Sequence, residues 1–494
     1  MMNILMIYPE FPDTFWSFKH ALRFVRKKAS SPPLGLITVA SMLPAGWKKR
    51  LVDVNIKPLH RSDLEWADLV FISAMVVQKQ SSLEILYQCK EAGKIVVAGG
   101  PLFTSAYTDF LDIVDHFVLN EAEITLPQFL ADFELQKPKK VYSTEDFCDL
   151  SVTPVPAWDL VDLKNYDSLS IQFSRGCPFN CDFCNITSLL GRIPRVKTAV
   201  QIIEELDLMY SLGWRRNIFF VDDNFIGNKK ILKNEILPAL IKWREGKSGC
   251  QFITEASVNL ADDDELMELM TRAGFKSVFV GIETPDEAGL ADCKKYQNKN
   301  RDLISSVKKM QQSGLQVMGG FIVGFDTDTV SIFKRQIDFI QKSGIVTAMV
   351  GLLQAPAGTE LFHRLKAEGR IVSGMSGDNA DGSTNIIPKM DMQELITGYR
   401  QILAEIYSPR LFYERVSTFL DEYKPVATAV KVQAEEIYAF FLSIWKLGIL
   451  GSERKYYWKL FFKTLKKAPD KFPLAITFSI YGYHFRKVMN KIIG

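Results

Sequence analysis

Three cysteines stand close together in Ser174-Arg175-Gly176-Cys177-Pro178-Phe179-Asn180-Cys181-Asp182-Phe183-Cys184-Asn185. Thiolates ligate iron–sulfur clusters, which usually take four cysteines. Cys177, Cys181 and Cys184 in one short loop would hold three irons of a 4Fe-4S cluster and leave the fourth open. An open iron can bind a small molecule and pass it an electron. A structural zinc site wants four ligands. The other cysteines, Cys89, Cys148, Cys250 and Cys293, are scattered singly, and no histidine lies near the triad. Inert buried cysteines would not gather in a Pro/Asn/Asp-rich loop. The cluster reading is therefore the leading one.

These thiols need a scaffold. The loop follows an apolar strand candidate, Leu169–Ser174, and five more follow: Asn217–Asp222, Phe252–Val258, Ser277–Glu283, Val317–Val323 and Ala348–Leu353. Helical patterns lie between them, and Gly213, Gly274, Gly314 and Gly344 stand where helices end. Six such units over 166–360 predict a barrel or partial barrel, with sites at the strands' C-terminal ends. Asp222, Asp223 and Asn224 end the second strand, Glu255 and Ser257 the third, Gly281 and Glu283 the fourth, and Gln354 the sixth. Successive strand residues face opposite sides, so one of Asp222 and Asp223 points into the site. Asp-Asp-Asn is equally a turn and helix-cap signal, and rim polar residues are often merely solvated.

Residues 1–135 alternate short apolar strands with helices, which predicts a doubly wound parallel sheet. Its ligand edge would be Ser73–Gln78, Ala98–Phe103 and Asn120–Glu123. Residues 136–165 carry Pro/Lys linker chemistry. From 361 to 494 the strand signal stops and helical patterns take over. The fold class is therefore α/β with a mainly helical C-terminal region.

Over the 494 residues, 47% hydrophobic and 24% charged content excludes disorder or coiled coil as a dominant state. A net charge of +3 gives no general case for nucleic acid, and no recognition motif is present. Residues 451–494 nonetheless hold ten Lys/Arg against two Asp/Glu, beside ten aromatics. Tyr456-Tyr457-Trp458 and Phe461-Phe462, next to Lys459, Lys463, Lys466 and Lys467, suit either an interfacial helix on anionic lipid or a core-packing helix with a basic outer face. The N-terminus lacks a signal peptide's basic region, and the apolar stretches fall short of a span of roughly 18 residues. A cytoplasmic protein is expected, with contact to the inner membrane face left open.

Cys-x-x-x-Cys-x-x-Cys with Phe183 before the last cysteine, at the end of a first barrel strand, resembles the radical S-adenosylmethionine superfamily. The resemblance implies a partial (β/α)6 barrel, an open iron that chelates S-adenosylmethionine, and its reduction to a 5′-deoxyadenosyl radical. It implies contacts to S-adenosylmethionine from Phe183, Asp222, Asp223, Asn224, Glu255, Ser257, Gly281, Glu283 and Gln354, although the family's frequent Gly-Gly-Glu is absent. Pro32-Pro33-Leu34-Gly35-Leu36, Ala98-Gly99-Gly100-Pro101 and Asn120-Glu121-Ala122-Glu123 resemble the cobalamin-binding domain of many such enzymes. That implies cobalamin contacts from Leu34, Gly35, Ser73, Gln78, Gly99, Gly100, Pro101, Asn120 and Glu121. Asp-x-His-x-x-Gly is absent and His20, His60 and His116 lack its context, so no histidine of this domain is expected on cobalt.

The whole chain is similar to a subgroup with a helical C-terminal extension that includes a hopanoid methylase. The implied function is a cobalamin-dependent C-methyltransferase acting on an unactivated carbon of a small or hopanoid-like lipid substrate, reduced by a donor such as flavodoxin or ferredoxin. A non-methylating radical enzyme and an iron–sulfur electron-transfer or binding protein remain the alternatives. No side chain is marked as the substrate's acid or base.

Overall fold

In the computed structural model, which describes residues 2–426 and 433–493, the apolar runs become two parallel six-stranded sheets. The first sheet comprises β1 (Asn3–Tyr8), β2 (Lys48–Asp53), β3 (Leu69–Ser73), β4 (Ile95–Gly99), β5 (His116–Val118) and β6 (Val141–Tyr142), in the order β2-β1-β3-β4-β5-β6. Its central strands are apolar on both faces because each face is covered. Leu5, Ile7, Val70 and Ile72 join one core, and Ile4, Met6, Leu69 and Phe71 the other. The strand β6 falls within the segment expected as a linker. Two residues between lysines and a polar turn carry too little periodicity to announce a strand. That segment also buries Trp158, and Tyr166 just after it donates its hydroxyl to Asp53 Oδ2 at 2.8 Å.

The second sheet begins with β7 (Ser168–Ile171). A two-stranded antiparallel hairpin, β8 (Ser174–Arg175) and β9 (Arg195–Val196), then brackets the cysteine loop. The barrel continues with β10 (Asn217–Phe220), β11 (Gln251–Glu255), β12 (Phe275–Glu283), β13 (Gln316–Val323) and β14 (Ala348–Leu352). These strands pair in sequence order, and β7 and β14 stand at opposite edges, so the barrel is open. The first strand ends earlier than its apolar run because Ser174 is drawn into the hairpin.

Helices 392–406, 409–422 and 472–493 share one core with the barrel. Tyr407 Oη donates to Ala348 O at 2.6 Å and Tyr399 Oη to Val350 O at 3.2 Å. Among the aromatics expected on an interfacial face, Tyr457 is buried and Trp458 and Phe461 pack inward, which leaves Phe462 exposed. No helix among the described residues is long and apolar enough to cross a membrane.

The two sheets meet through a buried quartet of charges. Arg175 is bidentate to Glu123 (Nη2–Oε1 2.7 Å, Nη1–Oε2 3.1 Å), and Arg195 to Glu121 (2.7 and 2.8 Å). Thr153 and the Cys148 N–H donate to the same carboxylates at 2.9 and 2.6 Å. Burial alone would raise Glu123, but Arg175 outweighs it and holds the carboxyl at about 2. Such planar, bidentate pairs fix orientation as well as distance. Breaking one strands the other charge. Arg195→Met is expected to cost about 3 kcal/mol in denaturant unfolding. Glu121→Leu added to Arg195→Met should restore most of that loss.

Candidate functional site

Arg175 and Arg195 stand at the base of the hairpin, and the cysteine loop grows from it. Gly176 has φ +96, and a side chain there would strike the carbonyls of Gly191, Leu190 and Ile193 at 2.9 to 3.0 Å. Only glycine fits that entry. Cys177 N donates to Gly191 O at 3.2 Å and Cys184 N to Cys181 O at 3.2 Å. Burial pushes the Cys177 thiol up, and Cys181 adds to it. Burial pushes Cys184 to about 12, again with Cys181 and Cys177 adding. The three sulfurs therefore lie within electrostatic reach of one another, which fits a shared metal cluster. Gln297 Nε2 approaches Cys181 Sγ at 3.6 Å. Phe183, expected beside S-adenosylmethionine, is half-buried and rests one side against the cluster of Leu353, Leu361 and Phe325.

The strand-end carboxylates divide as side-chain alternation requires. Asp222 is buried and fully engaged: Oδ1 accepts from the Ser174 N–H and, at 2.6 Å, from its hydroxyl, and Oδ2 from the Phe173 N–H at 3.3 Å. It clamps the corner between β7 and β8, and so is unavailable to a ligand. Asp223 differs: its Oδ2 is buried without a partner. Burial pushes Asp223 to about 6 and Glu255 to about 8, the latter with Asp223 and Asp222 adding. This excess of close carboxylate suits a bound cation, such as the ammonium and sulfonium of S-adenosylmethionine. Asn224 Oδ1 accepts from Ser257 N and Oγ at 3.2 and 3.3 Å, a structural pair that ties β10 to β11.

At the end of β12 the pairing slips by one residue between Gly281 and Glu283, and Glu283 takes φ +63. Its carboxylate meets Lys295 Nζ at 2.7 Å. A side chain on Gly281 would strike Glu283 Oε1 at 2.2 Å and Lys295 Nζ at 2.8 Å. The space expected for an adenine is thus filled by an ion pair. Lys295 went unnoticed in the sequence, since a lysine in a loop has no signature. Burial pulls it down, but Glu283, Cys181 and Cys184 outweigh that and hold it above the usual lysine range. Gln354 Nε2 reaches the Asp378 and Ser383 carbonyls at 3.3 and 3.4 Å, and so binds the loop over β14.

A cavity of about 320 Å³ opens where the first sheet faces this hairpin. Leu34, Gly35, Ser73, Gly99, Gly100, Pro101, Asn120 and Glu121 line it, together with Gln172, Arg175, Lys197 and Val221 from the barrel side. A side chain on Gly35 would meet nothing within 4 Å, so its backbone is open to a flat ring such as corrin. Gly100 (φ +88) lets Ser73 close in, since a Cβ would lie 2.4 Å from its hydroxyl. Glu121 is engaged by Arg195. Gln78 does not line the cavity: it is buried, accepting from Met75 N–H at 2.8 Å and donating to Pro9 O at 2.5 Å.

Glu255 holds its proton more tightly folded than its ordinary value of 4.5 allows, so it lowers stability as pH rises from there toward 8. Glu255→Gln is expected to raise the melting temperature of cofactor-free protein near pH 8. The gain should vanish near pH 4.5, as read by thermal melts across pH.

The B12 binding domain matches residues 25–130, the radical SAM superfamily 171–340 and a domain of unknown function 359–494. An uncharacterized methyltransferase of Synechocystis sp. is 40% identical, across 100% of this chain and 94% of that protein. The hopanoid C-2 methylase of Rhodopseudomonas palustris is 34% identical, across 94% and 89%. Two solved structures share the fold. One is the cobalamin-dependent S-adenosylmethionine radical enzyme OxsB, with aqua-cobalamin and S-adenosylmethionine bound (TM-score 0.62, 15% identity, 100% of this chain and 84% of that one). The other is the methyltransferase TsrM of Kitasatospora setae, with cobalamin and a 4Fe-4S cluster bound (TM-score 0.59, 13% identity, 99% of each). With identity of this level running through all three parts of the sequence, the chain belongs to the cobalamin-binding radical S-adenosylmethionine family, among its methyltransferases.

Proposed function

We propose that the protein methylates an unactivated carbon of an apolar, hopanoid-like lipid. The observation that carries this reading is the apolar wall of the barrel beside the acidic strand ends. Trp16, from the loop after β1, meets Phe279 edge-on at 5.4 Å, and its Nε1 lies 2.9 Å from Met349 Sδ. Ile218, Phe220 and Phe252 face the outer core, so by alternation Phe219 and Ile253 face the interior with Phe279. Such a wall offers the dispersion contact a hydrocarbon needs.

In this reading Cys177, Cys181 and Cys184 hold the cluster, Asp223 and Glu255 hold the cationic end of S-adenosylmethionine, and the cavity around Gly35 and Gly100 takes cobalamin. When bound, these groups supply a hydrogen-abstracting radical and a methyl donor. The chain's own work is placement and exclusion of water, with Trp16 closing one side. A small donor such as flavodoxin or ferredoxin would deliver electrons. The test uses anaerobic, cluster-reconstituted protein with S-adenosylmethionine, reductant and hydroxocobalamin. Both 5′-deoxyadenosine and S-adenosylhomocysteine are expected, with the first abolished in Cys181→Ala and the second without cobalamin. 5′-Deoxyadenosine alone would point instead to a non-methylating enzyme.

A lipid substrate requires access. Ile437, Phe441, Trp445 and Ile449, four residues apart, form one exposed stripe, with Phe441 at 63% and Trp445 at 54% exposure. Leu450, Phe462 and Leu465 are exposed too, as are Lys455, Lys459, Lys466 and Lys467. This pattern supports shallow contact with the anionic inner face of a membrane. Phe441→Ser with Trp445→Ser is expected to weaken binding to phosphatidylglycerol vesicles by more than about tenfold. Formation of 5′-deoxyadenosine in solution should be unchanged.

A further inference from the structure

The segment after β1 meets helix 472–493 at a cluster that includes none of the strand-end acids and no cavity-lining residue. We propose that Asp13, His20 and His484 bind a divalent first-row transition ion, with zinc as the reference ion. Each offers a ligand atom within 4.8 Å of the others. His484 lies in the middle of helix 472–493 and is fully buried. Its Nε2 is 2.9 Å from Phe15 O, and its Nδ1 is buried with no partner. Asp13 Oδ2 meets His20 Nε2 at 2.8 Å and Lys491 Nζ at 2.5 Å, whereas Asp13 Oδ1 is buried with no partner. Unpartnered buried polar atoms are rare in folded proteins, and here two of them fall on two members of one cluster.

A bound ion accounts for both. Two imidazoles and one carboxylate form a donor set that zinc and its neighbours accept, with water completing the shell. The bond to Phe15 O orients the His484 ring, as partners of metal-bound histidines do. Lys491 is the competitor. Its side chain is 59% exposed, so it can swing into water when an ion replaces it at Asp13. Trp16 lies between Asp13 and His20 in sequence, and Phe18 is held at φ +49, strained for a bulky residue. An ion here would brace the strained segment that carries Trp16 into the barrel wall.

The test uses the full chain with its iron–sulfur cluster already assembled, so that Cys177, Cys181 and Cys184 do not compete for added zinc. Elemental analysis after gel filtration counts zinc beside iron, and thermal melts report stabilisation. One zinc per chain with a raised melting temperature is expected at micromolar free zinc. His20→Ala should weaken zinc binding by more than about tenfold and erase the rise. Lys491→Gln should strengthen binding. No zinc in the wild type, or equal zinc in wild type and His20→Ala, overturns the site. If His20→Ala fails to fold, unchanged affinity in Lys491→Gln overturns it.

Discussion

Two arginines decide where the chemistry happens. Arg175 and Arg195 flank the cysteine loop, and each commits its guanidinium to a carboxylate of the other sheet's domain. Burying four charges is a poor way to gain stability, because desolvation offsets most of the attraction. It is an effective way to set orientation. Gly176 and Cys177 follow Arg175 directly, and Asp222 clamps Ser174 just before it. A rotation between the domains would thus be felt at the sulfurs within two residues. The cavity shares Arg175 and Glu121 with this quartet, so its shape and the position of the thiols are set by the same four side chains.

Charge is distributed with similar economy around the barrel mouth. Of four acids at the strand ends, Asp222 is neutralised by hydrogen bonds and Glu283 by Lys295. Asp223 and Glu255 are left as weakened acids, and among the described residues neither has an ion-pair partner. The slipped pairing at Gly281 makes this division possible. It turns Glu283 back toward Lys295 and away from the other two acids.

Much of this was legible from residue type and order. The cysteine spacing marked the loop, and apolar runs marked the strands of both sheets except β6, because buried parallel strands have little else in them. What escaped was long-range partnering. Arg175, Arg195 and Lys295 carry no local signal, since their partners sit on other elements, a helix start and a strand end. Gln78 was expected at a ligand, yet it lies off the cavity and bonds Pro9. The C-terminal aromatics pose the same difficulty. Both 437–449 and 456–462 are rich in apolar residues, and only packing decides that Tyr457 turns in while Trp445 turns out.

Trp16 gives the barrel a wall that its own strands do not provide, and the last helix holds that wall in place. His484 and Phe15 are 469 residues apart in sequence. At roughly 5–20 residues per second, the ribosome needs on the order of half a minute to a minute and a half to make that interval. Phe279, Met349 and Tyr407 are made within that interval and can receive Trp16 and Phe15 first, whereas Phe485 and the His484 bond come only with helix 472–493. The segment that carries Trp16 is therefore held from the barrel side alone until helix 472–493 forms, and from both sides afterwards.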